Sequence, residues 1–158
     1  LEAGVESRDR IACELVAESL RAGHDVQVRV AGSSMVPALW PGDALIVRAV
    51  SPVELSRGDL LLFARDGKLC THRLIAELDD SGARRLITRG DTALKCDPPM
   101  SSDQILGSVV SVSRDGHEVP VLSSRRAKML SFGIRHSGFL RRVILKVHAL
   151  RRRSELLG

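Results

Sequence analysis

Cysteine is scarce in this sequence. Cys13, Cys70 and Cys96 are an odd number with no CxxC spacing, which excludes a disulfide-stapled scaffold and argues against a structural zinc site. Three such thiols fit a reducing or thiol-tolerant compartment. Long apolar runs are missing too: the longest, residues 60–64 and 104–113, read as strands, whereas a membrane-spanning helix needs roughly 18 or more apolar residues. No n-region, h-region and cleavage site stand at the start, and residue 1 is Leu, which leaves room for a missing upstream piece. Self-similarity at periods of about 20–50 residues is absent, so the chain is no repeat array.

What remains is an ordinary globular composition with an uneven charge. Hydrophobic residues make up 44% of the 158 and charged residues 27%, enough to bury one core and too few residues for a second. Residues 1–120 carry 14 Lys+Arg against 18 Asp+Glu, a net of −4, while residues 121–158 carry 10 against 1, a net of +9. The basic character belongs to the tail.

A helical pattern opens the chain. Ile11, Leu15, Val16 and Leu20 recur on one face and Gly23 is placed to end it, which predicts a helix within residues 1–25 covering one edge of the core. From 26 to 122 the texture changes to short β-rich runs at 26–31, 44–50, 59–65, 68–78, 85–88 and 106–113. Asp66-Gly67 and Asp115-Gly116 suit tight hairpins, and Asp80-Ser81-Gly82 a slightly longer loop. The pattern predicts a mainly β, antiparallel domain, curled or barrel-like. Within 123–158, Phe139, Leu140, Val143, Ile144, Val147 and Leu150 share one helical face and Arg141, Arg142, Lys146 and Arg151 fall elsewhere, predicting a basic amphipathic helix.

Three places carry candidate chemistry. In the stretch from Gly32 to Asp43, two prolines and two glycines fix an irregular connection between strands, with Ser33 and Ser34 at its bend, where a hydroxyl can be exposed. Inside the run 68–78, alternation puts Cys70, His72 and Leu74 on one face and Thr71, Arg73 and Ile75 on the other. A half-buried core histidine is the usual finding at such a position. An ordinary imidazole is nevertheless mostly neutral at about pH 7 and can accept a serine proton, whereas a lysine would first need deep desolvation. In the third place, Asp91 and Asp97 flank a turn after Gly90, where a carboxylate can orient an imidazole or simply cap a turn. In Gly42-Asp43 and Gly58-Asp59 the aspartates are placed to accept backbone N–H bonds at strand starts.

The ordered combination goes further than its parts. Ser34-Met35-Val36-Pro37-Ala38-Leu39 with Gly42-Asp43, then Arg57-Gly58-Asp59 before a hydrophobic strand, His72-Arg73, Gly90-Asp91 with Asp97, and Leu106-Gly107-Ser108-Val109 resemble the type I signal peptidases of the S26 group and their S24/S26-like relatives over roughly residues 28–112. The resemblance implies a coiled antiparallel β domain of the LexA-like kind. It implies Ser34 as nucleophile, His72 as general base in place of the lysine of the bacterial branch, and Asp91 and Asp97 as supports of the histidine. The family's second hydroxyl, two residues before the nucleophile, is replaced by Gly32. The implied oxyanion donors are then the Ser34 backbone N–H and the Ser33 hydroxyl, with Gly32 and Met35 beside the substrate.

The resemblance further implies an endopeptidase with no cofactor and no metal. Its partner is an extended signal-peptide-like segment, cut after a small residue and added to an open sheet edge. Two other functions fit the same fold: a LexA-like S24 self-cleaving regulator, for which Ala22-Gly23 is a suitable dipeptide, and a non-catalytic peptide-binding module. The tail, residues 124–158, is read as contacting an anionic membrane surface, with nucleic acid disfavoured. The expected location is peripheral at a membrane or cytoplasmic.

Overall fold

A computed structural model describes residues 2–80 and 82–121; the basic helix expected within 123–158 lies outside the described residues. The chain opens with α1 (Glu2–Arg21). The His24 N–H donates to the Ser19 carbonyl at 3.1 Å and the Gly23 N–H to that of Leu20 at 3.0 Å. This double closure needs a residue at positive φ after the helix, and Gly23 sits at +83°. The helix covers the core as expected, but with a rotated face. Cys13, Ala17 and Leu20 are buried and Val16 packs beside them, whereas Ile11 and Leu15 are 51% and 59% exposed. Small side chains allow the close approach: the Cys13 thiol reaches the Gly67 carbonyl at 3.3 Å.

Among the described residues eight strands follow: β1 (Val26–Arg29), β2 (Ala44–Arg48), β3 (Leu60–Arg65), β4 (Lys68–Asp80), β5 (Ala83–Arg89), β6 (Met100–Ser101), β7 (Ile105–Arg114) and β8 (His117–Val119). All pairings are antiparallel, in the order β1-β2-β7-β3-β4-β5-β6, with β8 beside β7. The ends of that order, β1 and β6, do not pair with each other. The sheet is therefore coiled and open rather than a closed barrel. Register shifts at Ile46/Val47, Leu62/Phe63 and Leu74/Ala76 supply the local bends that coil it. The sequence pattern missed β6 and β8, which are too short to show a period.

Coiling gives the sheet two cores. Leu60 and Leu62 face one, with Leu20, Met35, Leu39, Leu45, Val47 and Val112; Leu61 and Phe63 face the other, with Leu55, Leu74, Leu86 and Met100. The unbroken Leu60-Leu61-Leu62-Phe63 run is thus the signature of a strand buried on both faces. At one end of it, the Asp66-Gly67 turn has both residues at positive φ, 51° and 72°. It sets the β3–β4 register, Leu61 opposite His72 and Phe63 opposite Cys70.

Candidate active site

Ser34 stands on a loop that the core grips from below. Met35, Val36, Ala38 and Leu39 are all buried, and the loop's base is closed by Val30 N–H to the Asp43 carbonyl at 2.9 Å and Gly42 N–H to the Val30 carbonyl at 2.7 Å. Asp43, 1% exposed, accepts the Trp40 N–H at 2.8 Å and a two-pronged contact from Arg114, Nε to Oδ1 at 2.8 Å and Nη2 to Oδ2 at 2.7 Å. The Asp59 carboxylate plays the same local part before β3, accepting the Ser56 N–H at 2.8 Å. Ser34 itself is exposed. A rigid base with an exposed hydroxyl is what pre-organised attack requires.

The Ser34 hydroxyl lies 3.2 Å from His72 Nε2, and His72 Nδ1 lies 2.6 Å from Asp97 Oδ2. An ionised carboxylate only accepts, so the hydrogen-bond network assigns the proton to Nδ1 and leaves the Nε2 lone pair facing the serine. Alternation along β4 places His72 on the face of Cys70 and Leu74, in a T-shaped contact with Phe63, with ring centroids 5.8 Å apart and planes at 71°. The side chains of His72 and Asp97 are 16% and 13% exposed. Two residues that sequence reasoning missed complete the carboxylate's surroundings: the Thr88 hydroxyl donates to Oδ2 and Arg65 Nη1 to Oδ1, each at 2.7 Å.

Burial pushes the Asp97 carboxyl up, but the hydrogen bonds from Thr88, Arg65 and His72 outweigh it and hold the group below its ordinary value. A carboxyl whose folded value is depressed stabilises the fold above its unfolded pKa, about 3.9, and loses that contribution as pH falls through the folded value. Asp97→Asn is therefore expected to flatten the loss of stability below about pH 4. Urea-unfolding midpoints across an acid series check this, and a variant whose acid loss runs parallel to the parent's contradicts it.

Asp91, the other acid of the pair, does not touch the imidazole. It holds Arg73, with Nε to Oδ1 at 2.9 Å and Nη2 to Oδ2 at 2.7 Å, while Arg73 Nη1 donates to the Gly58 carbonyl at 2.9 Å. Arg73 lies on the opposite face of β4 from His72, so strand alternation sends the two aspartates to different partners. The same segment is pinned to Ser34 from above: the Thr92 N–H and hydroxyl both donate to the Ser34 carbonyl, at 2.9 and 3.0 Å.

Gly90 fits into the narrowest point of this junction. A Cβ there would stand 2.9 Å from the Ser34 carbonyl oxygen, 3.1 Å from the Ser34 Cβ and 3.3 Å from His72 Nε2. Gly90→Ala is expected to part the serine from the imidazole and cut kcat/KM about a hundredfold or more, with circular dichroism unchanged. Turnover within a few-fold of the parent would show that the junction yields.

Of the remaining expected residues, Met35 is 2% exposed and forms part of the core and the cleft floor. Gly32 is exposed and lines the cleft, and the Ser33 carbonyl accepts the Val36 N–H at 3.3 Å. The cleft, about 430 Å³, runs from Ser34 and His72 between β1 and β4, with Ala12 and Val16 of α1 as a side wall. Burial pushes the thiols of Cys13 and Cys70 up, which keeps Cys70, beside the histidine, a poor nucleophile. Among the described residues no group of His, Cys, Asp and Glu is placed to hold a metal.

A hydroxyl, an imidazole and a carboxylate thus stand in hydrogen-bonded series on an open antiparallel sheet, an arrangement of the kind that activates a serine hydroxyl. The chain belongs to the peptidase S24-like family, whose profile matches residues 2–110. That span takes in Ser34, His72, Asp91 and Asp97. No curated protein matches the chain closely enough to be named as a relative.

Proposed function

We propose that this protein is a serine endopeptidase of the signal-peptidase kind that cleaves an extended peptide after a small residue. The observation that carries the reading is the series Ser34 Oγ, His72 Nε2 at 3.2 Å, His72 Nδ1 and Asp97 Oδ2 at 2.6 Å, opening on a cleft. Two strand edges border that cleft. Among the described residues β1 pairs only with β2, and residues 68–72 of β4 pair only with β3, because β5 joins β4 from Arg73 onward. A peptide laid between them finds unpaired backbone groups on both sides.

In this mechanism His72 takes the Ser34 proton as the hydroxyl attacks the scissile carbonyl, and Asp97 stabilises the imidazolium that forms. The Ser34 backbone N–H faces the developing oxyanion. Collapse of the tetrahedral intermediate breaks the C–N bond, His72 returns the proton to the departing amine, and water then releases the acyl group from Ser34 by the same route in reverse. Asp91 supports the site through Arg73 rather than through the imidazole.

The test is cleavage of a peptide with an Ala-x-Ala core, together with labelling by a fluorophosphonate located by mass spectrometry. Label on Ser34 and turnover lost in Ser34→Ala and His72→Ala are expected; turnover retained in either variant refutes the assignment. One departure from the family pattern yields a gain-of-function prediction. Apart from its chain neighbours, no described residue lies within 4 Å of a Cβ built on Gly32, so Gly32→Ser is accommodated and supplies a second hydroxyl beside the oxyanion. A rise in kcat of roughly tenfold is expected, below the full worth of an established donor; steady-state kinetics showing no rise would place that hydroxyl away from the oxyanion.

The self-cleaving regulator has less support. Its base is lysine, and the amides of Ala22, Gly23 and His24 are all engaged in closing α1. No helix among the described residues is long and apolar enough to cross a membrane. We place the protein at a bilayer surface through residues 124–158, whose basic residues suit anionic lipid. Sedimentation with anionic vesicles across a salt series, compared with DNA retention, tests this placement.

A further inference from the structure

We infer that Arg65 is a positioning residue that divides the charge of Asp97 and so tempers the hold of that carboxylate on the His72 imidazolium. The inference rests on Ser34, His72 and Asp97 acting as the catalytic series.

The geometry of the carboxylate carries it. Oδ2 accepts from His72 Nδ1 at 2.6 Å and from the Thr88 hydroxyl at 2.7 Å, while Oδ1 accepts from Arg65 Nη1 at 2.7 Å. The anion is thus shared between an imidazole and a permanent cation. Arg65 touches the histidine's other support as well: its guanidinium carbon lies 5.0 Å from the centroid of Phe63, whose ring makes the T-shaped contact with His72. Thr88 clamps the aspartate from both ends, because its carbonyl accepts the Asp97 N–H at 2.8 Å.

A full guanidinium on the far oxygen has two opposed effects. It fixes the carboxylate plane, which aids orientation of the imidazole, and it opposes the second positive charge that His72 gains during proton transfer. The other charged or titratable groups near the imidazole and guanidinium are few. Cys70 lies on the same face of β4, and Asp9 of α1, Asp66 and Lys68 line the outer dent that Arg65 borders. Arg73 faces the other side of the strand, in the pair with Asp91. Arg65 is therefore the one permanent cation joined directly to Asp97 among the described residues.

The test is a proton NMR titration of the His72 ring in the full chain, assigned against His72→Gln, for the parent and four variants. Arg65→Met removes the charge and the bond, Arg65→Gln keeps a donor without the charge, Arg65→Lys keeps the charge, and Thr88→Val removes a neutral anchor. The titration midpoint is expected to move to higher pH by about half a unit or more in Arg65→Met and Arg65→Gln. It should stay near the parent's in Arg65→Lys and Thr88→Val. Should Arg65→Met fail to fold, the contrast of Gln with Lys decides. An unmoved midpoint in the uncharged variants, or an equal movement in Arg65→Lys, overturns the inference. The readout needs no turnover: midpoints that move as expected in a protein that never labels at Ser34 sink the peptidase reading and leave the charge division standing.

Discussion

Asp97→Asn is expected to lower kcat/KM by roughly 10³–10⁴ while leaving the protein folded. The size follows from which atoms the neighbours hold. Arg65 can only donate, and its Nη1 lies 2.7 Å from Oδ1, so it will keep the amide oxygen of an asparagine on its own side. The amide NH₂ then faces His72 Nδ1. An imidazole nitrogen that must accept there carries its proton on Nε2, where it confronts the Ser34 hydroxyl with a donor instead of a lone pair. The variant is thus forced into the wrong tautomer by a contact that touches neither Ser34 nor the imidazole. Loss of the carboxylate also removes the partner of the imidazolium, so the acid limb of the rate profile is expected to move to lower pH. Steady-state kinetics on the Ala-x-Ala peptide, with a thermal melt as control, check both points. Asp91→Asn, assayed beside it on the folded fraction, should stay within a few-fold of the parent. Equal losses in the two variants would mean that the aspartates act as one unit.

The second large effect is on stability. Arg73 and Asp91 form a two-pronged ion pair with side chains only 2% and 8% exposed. Removing one member of a buried pair strands the other charge, at about 3–5 kcal/mol, a large part of the roughly 5–15 kcal/mol that holds a domain together. Arg73→Met or Asp91→Leu alone should therefore lower the urea midpoint sharply. The double substitution should recover most of the loss, since neither charge is then left buried alone. Additive losses in the double variant would assign the cost to packing and to the Arg73 bond with the Gly58 carbonyl instead of to the stranded charge.

Much of this site could be read along the chain, for a definite reason. Ser34 is fixed by a local loop whose prolines, glycines and buried Met35 and Leu39 lie within a few residues of it. His72 is fixed by a strand whose register the Asp66-Gly67 turn dictates. That turn carries one more legible consequence. Side chains at 61, 63 and 65 share a face with those at 72, 70 and 68, so Arg65 was placed on the histidine's face by the hairpin alone. Thr88 was not legible, because the β4–β5 pairing shifts register between Leu74 and Ala76 and a shift of that kind leaves no period in the sequence. The rotated face of α1 has a similar cause: the small Cys13 comes within 3.3 Å of the Gly67 carbonyl in the β3–β4 turn and Ala17 is buried on the same helix, while hydropathy alone ranks both below Ile11 and Leu15.

The sequence by itself determined the six longer antiparallel strands, the tight turns, the loop that presents Ser34 and the strand face that carries His72, since each depends on spacing between near neighbours. Only the tertiary structure decided that the sheet stays open and coiled, that Asp97 serves the imidazole while Asp91 serves Arg73, and that Arg65 and Thr88 hold Asp97. Those outcomes depend on which of several equivalent acids, bases and donors meet across strands far apart in the chain. Like charges and like hydroxyls are interchangeable in a sequence, and it is packing that makes them distinct.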